Sequence, residues 1–183
     1  AGAGALVFAC IMIYSVPATP PQLLAYGRQI LKFAYPQVLY LGEGVTSSVA
    51  VTVDSNYRQF HVSGKVEAST IPADLRQERM LGHLSGVLHP NPRSVLVVWF
   101  GAGITAGSFV LYPGIKRIVI CEIEPMVPQK VGPFFKQENY DVKNDPRVEI
   151  VYDDARHYIL TTQEKFDIVT SDPIHPWVKG AAN

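Results

Sequence analysis

A chain of 183 residues is long enough for one domain with a small appendage, and at 48% hydrophobic and 17% charged it can bury a core. That balance excludes an intrinsically disordered chain. The formal net charge is zero, and no basic run or aromatic-basic interleaving marks a nucleic-acid partner.

The first predicted element is the apolar run Ala5 to Tyr14. Ten residues are too few to span a bilayer, which takes about 20. The run reads as a buried helix or strand, or as the tail of a membrane segment whose start is missing. No basic region precedes it, which argues against a signal peptide. The chain starts without Met and stops just after its last candidate site, so a piece of a longer protein is expected, truncated at its C-terminus. Residues 15–36 are proline-rich, with Gln22 to Phe33 helix-capable.

Val38 to Ala68 reads as antiparallel β. Val49, Val51 and Val53 alternate with polar or small residues, as in a half-buried strand. Asp54-Ser55-Asn56 is a turn cluster, Tyr57 to Val62 returns, and Gly64 starts a further short strand. Asp74 to Leu88 reads as a helix with Met80, Leu81, Leu84 and Leu88 on one face. Pro90 and Pro92 stop it.

From Ser94 the pattern alternates between strand and helix. Val95 to Val98, Arg117 to Cys121, Val148 to Val151 and Phe166 to Thr170 are short and almost continuously apolar, as parallel strands covered on both faces are. Helices fit at Ile104 to Tyr112, Met126 to Glu138 and Ala155 to Thr162, with Pro128 and Pro133 kinking the second. The predicted organisation is an N-terminal apolar and Pro-rich segment (1–36), a β-hairpin unit (37–72) and a nucleoside-binding α/β domain (73–183). The fold class is α/β, with a Rossmann-like parallel sheet behind a small antiparallel unit.

Acids follow the predicted strands: Glu122, then Asp153 and Asp154, then Asp172. In an open α/β sheet those strand ends form one edge, where ligands bind. Gly101-x-Gly103-x-x-x-Gly107 at a strand-to-helix turn allows a tight bend and close ligand approach. Glu122 suits a ribose diol, because an ionised carboxylate only accepts hydrogen bonds. Its alternative is a solvated strand-end charge of little worth to stability, which also describes Glu124. Of Asp153 and Asp154, one suits an adenine amine and the other a helix cap before Ala155. Asp172 remains for chemistry, or for a turn before Pro173. A nicotinamide cofactor stays open. Against it stand the GxGxxxG spacing, the hundred or so residues before the turn, and the acidic pair. Cys10 and Cys121 are far apart, Cys121 reads as a reduced core residue, and the five histidines lack metal-ligand spacing, so no metal is expected.

The succession of GxGxxxG, CEIEP, NDPRVEIVYDDAR and FDIVTSDP resembles the polyamine aminopropyltransferases, the spermidine synthase family, over roughly residues 38–183. The N-terminal apolar run is similar to that of membrane-fused members. The resemblance implies a methyltransferase-like fold and an aminopropyl transfer from decarboxylated S-adenosylmethionine to a small-molecule amine. Gly101, Gly103, Glu122, Asp153, Asp154 and Ala155 would bind the nucleoside, with Glu122 on the ribose and Asp154 and Ala155 on the adenine. Asp172 would be the base that deprotonates the acceptor amine. Glu67, Gln77 and His175 fall at positions that contact the amine substrate.

Departures from the family pattern are several. Ala102 stands where an aspartate pairs with the aminopropyl ammonium, and Trp99 and Phe100 replace glycines. Gln77 replaces a channel tyrosine, His175 a second aspartate, and Glu67 a glutamine. Loss of the charge at Ala102 brings ordinary S-adenosylmethionine and methyl transfer forward, with Glu67 as partial compensation. A non-catalytic nucleoside-binding domain of a membrane protein is the third reading. The expected setting is cytoplasmic or membrane-associated, with homo-oligomers formed through uncovered apolar surface.

Overall fold

The computed structural model describes residues 2–27 and 36–171. Part of the helix-capable stretch, from residue 28, and both Asp172 and His175 lie outside them.

Strands β1 (Gln37–Glu43), β2 (Ser48–Asp54), β3 (Tyr57–Val62) and β4 (Lys65–Ser69) form an antiparallel sheet in chain order. Ser55 and Asn56 both take positive φ in the two-residue β2–β3 turn, the twist that tight hairpins favour. β2 is not half-buried as its alternation predicts, because both its faces are covered. Val49 and Val51 enter the main core, while Ala50 packs with Tyr26 of a short helix α2 (Pro21–Tyr26).

The second sheet is parallel, in the order β7 (Val148–Tyr152), β6 (Arg117–Glu122), β5 (Ser94–Val98), β8 (Ile168–Ser171). The chain runs outward from β5 to β7 and then returns to the other side of β5. The strand order therefore reverses at β5, and all four C-terminal ends lie on one edge. One face of the sheet joins the main core, where Val95, Val97, Ile118 and Ile120 meet Phe60 of β3 and Phe109 of helix α4 (Ile104–Val110). The other face, with Leu96, Val119 and Cys121, is covered by Ala155 and Tyr158 of helix α5 (Ala155–Thr161). This double coverage explains why β5 and β6 read as continuous apolar runs, whereas the outer strands β7 and β8 keep exposed residues such as Glu149 and Val169.

Met126 to Glu138 is not one helix. It is a π turn at Val127–Val131 followed by a 3-10 turn at Gly132–Phe135. Pro128 and Pro133 each remove an N–H and crowd the preceding turn, so a regular helix cannot run through.

Helix α3 (Pro72–Leu88) forms as its periodicity predicts but lies the other way round. Met80, Leu84 and Leu88 are exposed, and the inward residues are Glu78, Gly82 and Gly86. A Cβ at Gly82 would stand 2.6 Å from the Ser108 Cβ and 2.7 Å from the Thr105 carbonyl oxygen. The glycines let α3 approach α4 more closely than a leucine face could.

The N-terminal run forms helix α1 (Gly2–Ser15), but it is not buried. Leu6, Val7, Phe8, Ile11, Met12 and Ile13 are all exposed. Among the described residues, no helix is long and apolar enough to cross a membrane.

Candidate active site

The glycine turn leaves the end of β5, where the strand order reverses. Trp99, Gly101 and Gly103 all have positive φ, +73°, +57° and +80°. Glycine adopts this region freely, whereas Trp99 does so at a cost of order 1 kcal/mol or more. Its N–H donates to the Cys121 carbonyl at 2.8 Å, which holds the turn against β6. Gly101 has open space beside it, while a Cβ at Gly103 would meet the Phe100 ring at 2.9 Å. Asn139 closes the turn from below, its Nδ2 donating to the carbonyls of Ala102 (2.9 Å) and Gly132 (3.0 Å).

Glu122 ends β6 and is 4% exposed, so the alternative of a solvated strand-end charge does not hold. Its Oε2 accepts from the Phe100 N–H and its Oε1 from the Glu124 N–H, both at 2.9 Å. Burial pushes its pKa up, and the N–H donors of Glu124, Phe100 and Ile123 oppose that. A carboxylate offers about four lone-pair sites. These backbone donors orient the group and leave acceptor capacity for a diol.

Glu124 is also buried, at 3% exposed. Its carboxylate accepts from the Thr46 N–H (2.9 Å) and hydroxyl (3.1 Å) and from the Met126 N–H (3.3 Å). Burial raises its pKa, but these donors outweigh it and hold the group below the usual carboxylate value. Glu124 thereby ties the β1–β2 turn to the parallel sheet.

Between the two sheets lies a cavity of about 330 Å³. Phe60, Val62, Ala68, Trp99 and Val127 form its apolar walls, and Glu67, Asp74, Glu78, Glu122 and Glu124 all line it. No lysine, arginine or histidine is among the described residues that line it, and Lys65 pairs with Glu67 from outside the lining at 2.9 Å. Of the residues singled out from sequence, the structure brings Glu67, Gln77, Gly101 and Glu122 together here. Gly103 lies one residue beyond Ala102, packed under Phe100. The sequence did not point to Asp74, Glu78 or Glu124 as cavity acids. A shared face at i and i+4 on α3 was the available sign for the first two.

Asp153, Asp154 and Ala155 lie at the end of the neighbouring β7 and do not line this cavity. Asp154 is the N-cap of α5, its Oδ1 accepting from the N–H groups of Arg156 (2.7 Å) and His157 (3.4 Å). Asp153 pairs with the His157 ring at 2.6 Å, which holds its carboxyl below the ordinary value. Cys121 donates its thiol to the Asp153 carbonyl and is wholly buried. Burial, with the charges of Asp153, Glu122 and Asp154, pushes it up to about 11, so it is a neutral core thiol. Among the described residues, no group of three or more His, Cys, Asp or Glu is placed to hold a metal.

The burial of Glu122 sets its expected mutational signature. Glu122→Gln places an amide N–H₂ against a backbone N–H that now donates to a carboxylate. It should lower nucleoside affinity by about 1.5–3 kcal/mol and stability by about 1–3 kcal/mol. Calorimetry and thermal melts on the same preparation check both, and unchanged nucleoside affinity would rule out contact with the ribose.

Comparison with known proteins agrees with this arrangement. The spermine/spermidine synthase domain model matches residues 74–182. The polyamine aminopropyltransferase of Leptospira biflexa is 35% identical over 100 residues, covering 53% of this chain and 35% of that protein. That of Thermotoga neapolitana is 24% identical over 140 residues, covering 76% and 47%. The spermidine synthase of Thermotoga maritima superposes with a TM-score of 0.69 at 24% identity, over 75% of this chain and 48% of that one. A spermidine synthase in complex with the transition state analogue AdoDATO gives 0.68 at the same identity. These two structures speak for the fold. The chain spans between about a third and a half of the length of the curated relatives it matches. With more than half of its residues inside the family model, the chain belongs to the spermine/spermidine synthase domain family.

Proposed function

We propose that the chain carries the donor-binding part of a polyamine aminopropyltransferase, moving an aminopropyl group from decarboxylated S-adenosylmethionine to an amine acceptor. The observation that carries this reading is the cavity beside the glycine turn, lined by five carboxylates with no cationic side chain among its described residues. Both reactants are cations: the donor bears a sulfonium and an ammonium, and the acceptor is a polyamine. A negatively lined, partly enclosed site concentrates such ligands. The same carboxylates oppose the carboxylate of intact S-adenosylmethionine, which disfavours the methyl-transfer reading in spite of Ala102.

In this reading Glu122 accepts from the ribose hydroxyls, with Asp153, Asp154 and Ala155 on the adenine side. The acceptor ammonium gives up a proton to Asp172. The freed lone pair attacks the propyl carbon next to sulfur. The carbon–sulfur bond breaks with its electron pair going to sulfur, and methylthioadenosine leaves neutral. A protonated amine has no lone pair to attack with, so the base is indispensable.

Calorimetric titration of methylthioadenosine, S-adenosylmethionine and its decarboxylated form, followed by turnover with a diamine, tests the proposal. Tightest binding of the decarboxylated form with turnover supports it. Tightest binding of S-adenosylmethionine would transfer the assignment to methyl transfer. Binding without turnover would make this a nucleoside-binding domain.

A homo-oligomer belongs to the same proposal. Leu6, Val7, Phe8, Ile11, Met12 and Ile13 of α1 and the outward row Met80, Leu84, Val87 and Leu88 of α3 present apolar surface. Self-association at micromolar concentration is the expected outcome, and a monodisperse monomer in sedimentation would overturn it. The apolar α1 is also the segment through which membrane attachment is proposed, which flotation with lipid vesicles would test.

A further inference from the structure

Asn139 holds the glycine turn from outside the cavity. It is 2% exposed and is not among the residues that line the cavity. Its Nδ2 donates to the carbonyls of Ala102 and Gly132, and its Oδ1 accepts from the Asp141 N–H at 3.0 Å.

Two features of the chain place this side chain. Tyr140 and Asp141 follow it in the left-handed region, with φ of +55° and +54°. Residues other than glycine are strained there and persist only where their surroundings over-determine them. The surroundings do so here. The Asp141 N–H also reaches the Lys136 carbonyl at 3.1 Å, and the Val142 N–H donates to the Asn139 carbonyl at 3.1 Å. The Arg79 guanidinium of α3 lies over the Tyr140 ring, 5.9 Å from its centroid. The second feature is Gly107, the last glycine of the GxGxxxG run. A Cβ there would collide with the Asn139 carbonyl group. That glycine makes room for Asn139 rather than for a ligand.

We propose that Asn139 is a positioning residue, which sets the affinity for the nucleoside through the glycine turn without touching it. This role rests on the reading given above, with Glu122 on the ribose. The turn links the two residues. Asn139 holds the Ala102 carbonyl, and two positions earlier the Phe100 N–H donates to Glu122 Oε2 at 2.9 Å. The Gly103 N–H closes the turn onto the Phe100 carbonyl at 2.7 Å. The Phe100 ring lies against Gly103 and Gly132, where a Cβ at either would stand 2.9 Å from it. Asn139 bonds to the residues on both sides of that ring. Without it, the donor that orients the Glu122 carboxylate is free to shift. A displacement of about 1 Å far from the chemistry can cost on the order of 100-fold.

Calorimetric titration of methylthioadenosine into the full chain, Asn139→Ala and Asn139→Asp tests this role, with thermal melts on the same preparations. Asn139→Asp keeps the size and the bond to Asp141 but turns a carboxylate oxygen towards two carbonyls. Both variants should weaken methylthioadenosine binding by about 10- to 100-fold with the binding stoichiometry unchanged. In turnover, the KM for the decarboxylated donor should rise by a similar factor. The KM for the diamine should stay within about twofold.

A fall in stoichiometry with unchanged affinity, or two variants that do not fold, would make Asn139 structural and overturn the role. Wild-type affinity in both variants would overturn it and leave the nucleoside-binding reading standing. Wild-type affinity in Asn139→Asp alone would show that only the bond to Asp141 matters, which overturns it too. A wild type that does not bind methylthioadenosine removes the underlying reading and this role with it.

Discussion

Asp172→Asn should lower the rate of aminopropyl transfer by about 10²–10⁴-fold, the range for removing a general base. Methylthioadenosine affinity should change far less, because the proposed nucleoside contacts are Glu122, Asp153 and Asp154. Ser171, the last residue of β8, pairs with Val98 at the end of β5. Asp172 is the next residue along the chain, so it follows the strand that flanks the reversal in strand order. The turn that leaves β5 there runs through Trp99 and Gly101, both of which line the acidic cavity. Asparagine keeps the size of the side chain and removes its proton acceptor. A rate that stays above about a tenth of wild type would lie outside the general-base range and would refute the assigned mechanism. An inactive wild type that still binds methylthioadenosine would instead favour the non-catalytic reading.

The parallel sheet was legible because its physics is local to each strand. Val95 to Val98 and Arg117 to Cys121 are buried on both faces, and that requirement is written in the residues themselves. The break within Met126 to Glu138 was legible for the same reason, since Pro128 and Pro133 act on their own turn. The direction of α3 was not. Its apolar row Met80, Leu84 and Leu88 faces outward, because Gly82 and Gly86 are the residues seated inward in the fold. Their seat depends on Thr105, Ser108 and Tyr112, which are distant in the chain.

The acids show the same division. Their placement at strand ends was readable, and the edge it predicts is the one that forms. Their burial was not, because beside a local donor each acid relies on a remote one: Phe100 lies 22 positions from Glu122, and Thr46 lies 78 from Glu124. Nor was Trp99 recognisable as a left-handed residue. Its place in the turn is dictated by the bond to Cys121, and glycine is the residue that meets that backbone requirement without cost. What the sequence could not supply in each case was the partner across the fold.

Lowering the pH from 6.5 to about 4 should cost the folded protein about 3 kcal/mol through one residue, His61 on β3. The ring is 1% exposed, and it meets Thr52 Oγ1 at 2.8 Å through Nε2. Its Nδ1 is buried and has no hydrogen-bond partner among the described residues. Tyr26 packs edge-on at 4.5 Å and ties α2 to the same network through Thr52 (2.9 Å) and Gln59 (3.2 Å). Burial lowers the pKa of His61 from 6.5 to about 4, because a charged imidazolium would lose its hydration with no acceptor for the Nδ1 proton. Above pH 6.5 the ring is neutral in the folded and unfolded chain alike, so stability is at its plateau with respect to this group. Below 6.5 the unfolded chain takes up a proton that the folded one refuses. Stability then falls by about 1.4 kcal/mol per pH unit until the folded pKa is reached. His61→Gln has no proton to bind and should abolish that part of the slope. Urea unfolding of both proteins at half-unit steps from pH 7 to 4 isolates the effect, since the remaining groups titrate in common. Parallel curves across that window would show that His61 takes up its proton equally well in the folded state, and the dry, neutral network beneath α2 would have to be abandoned.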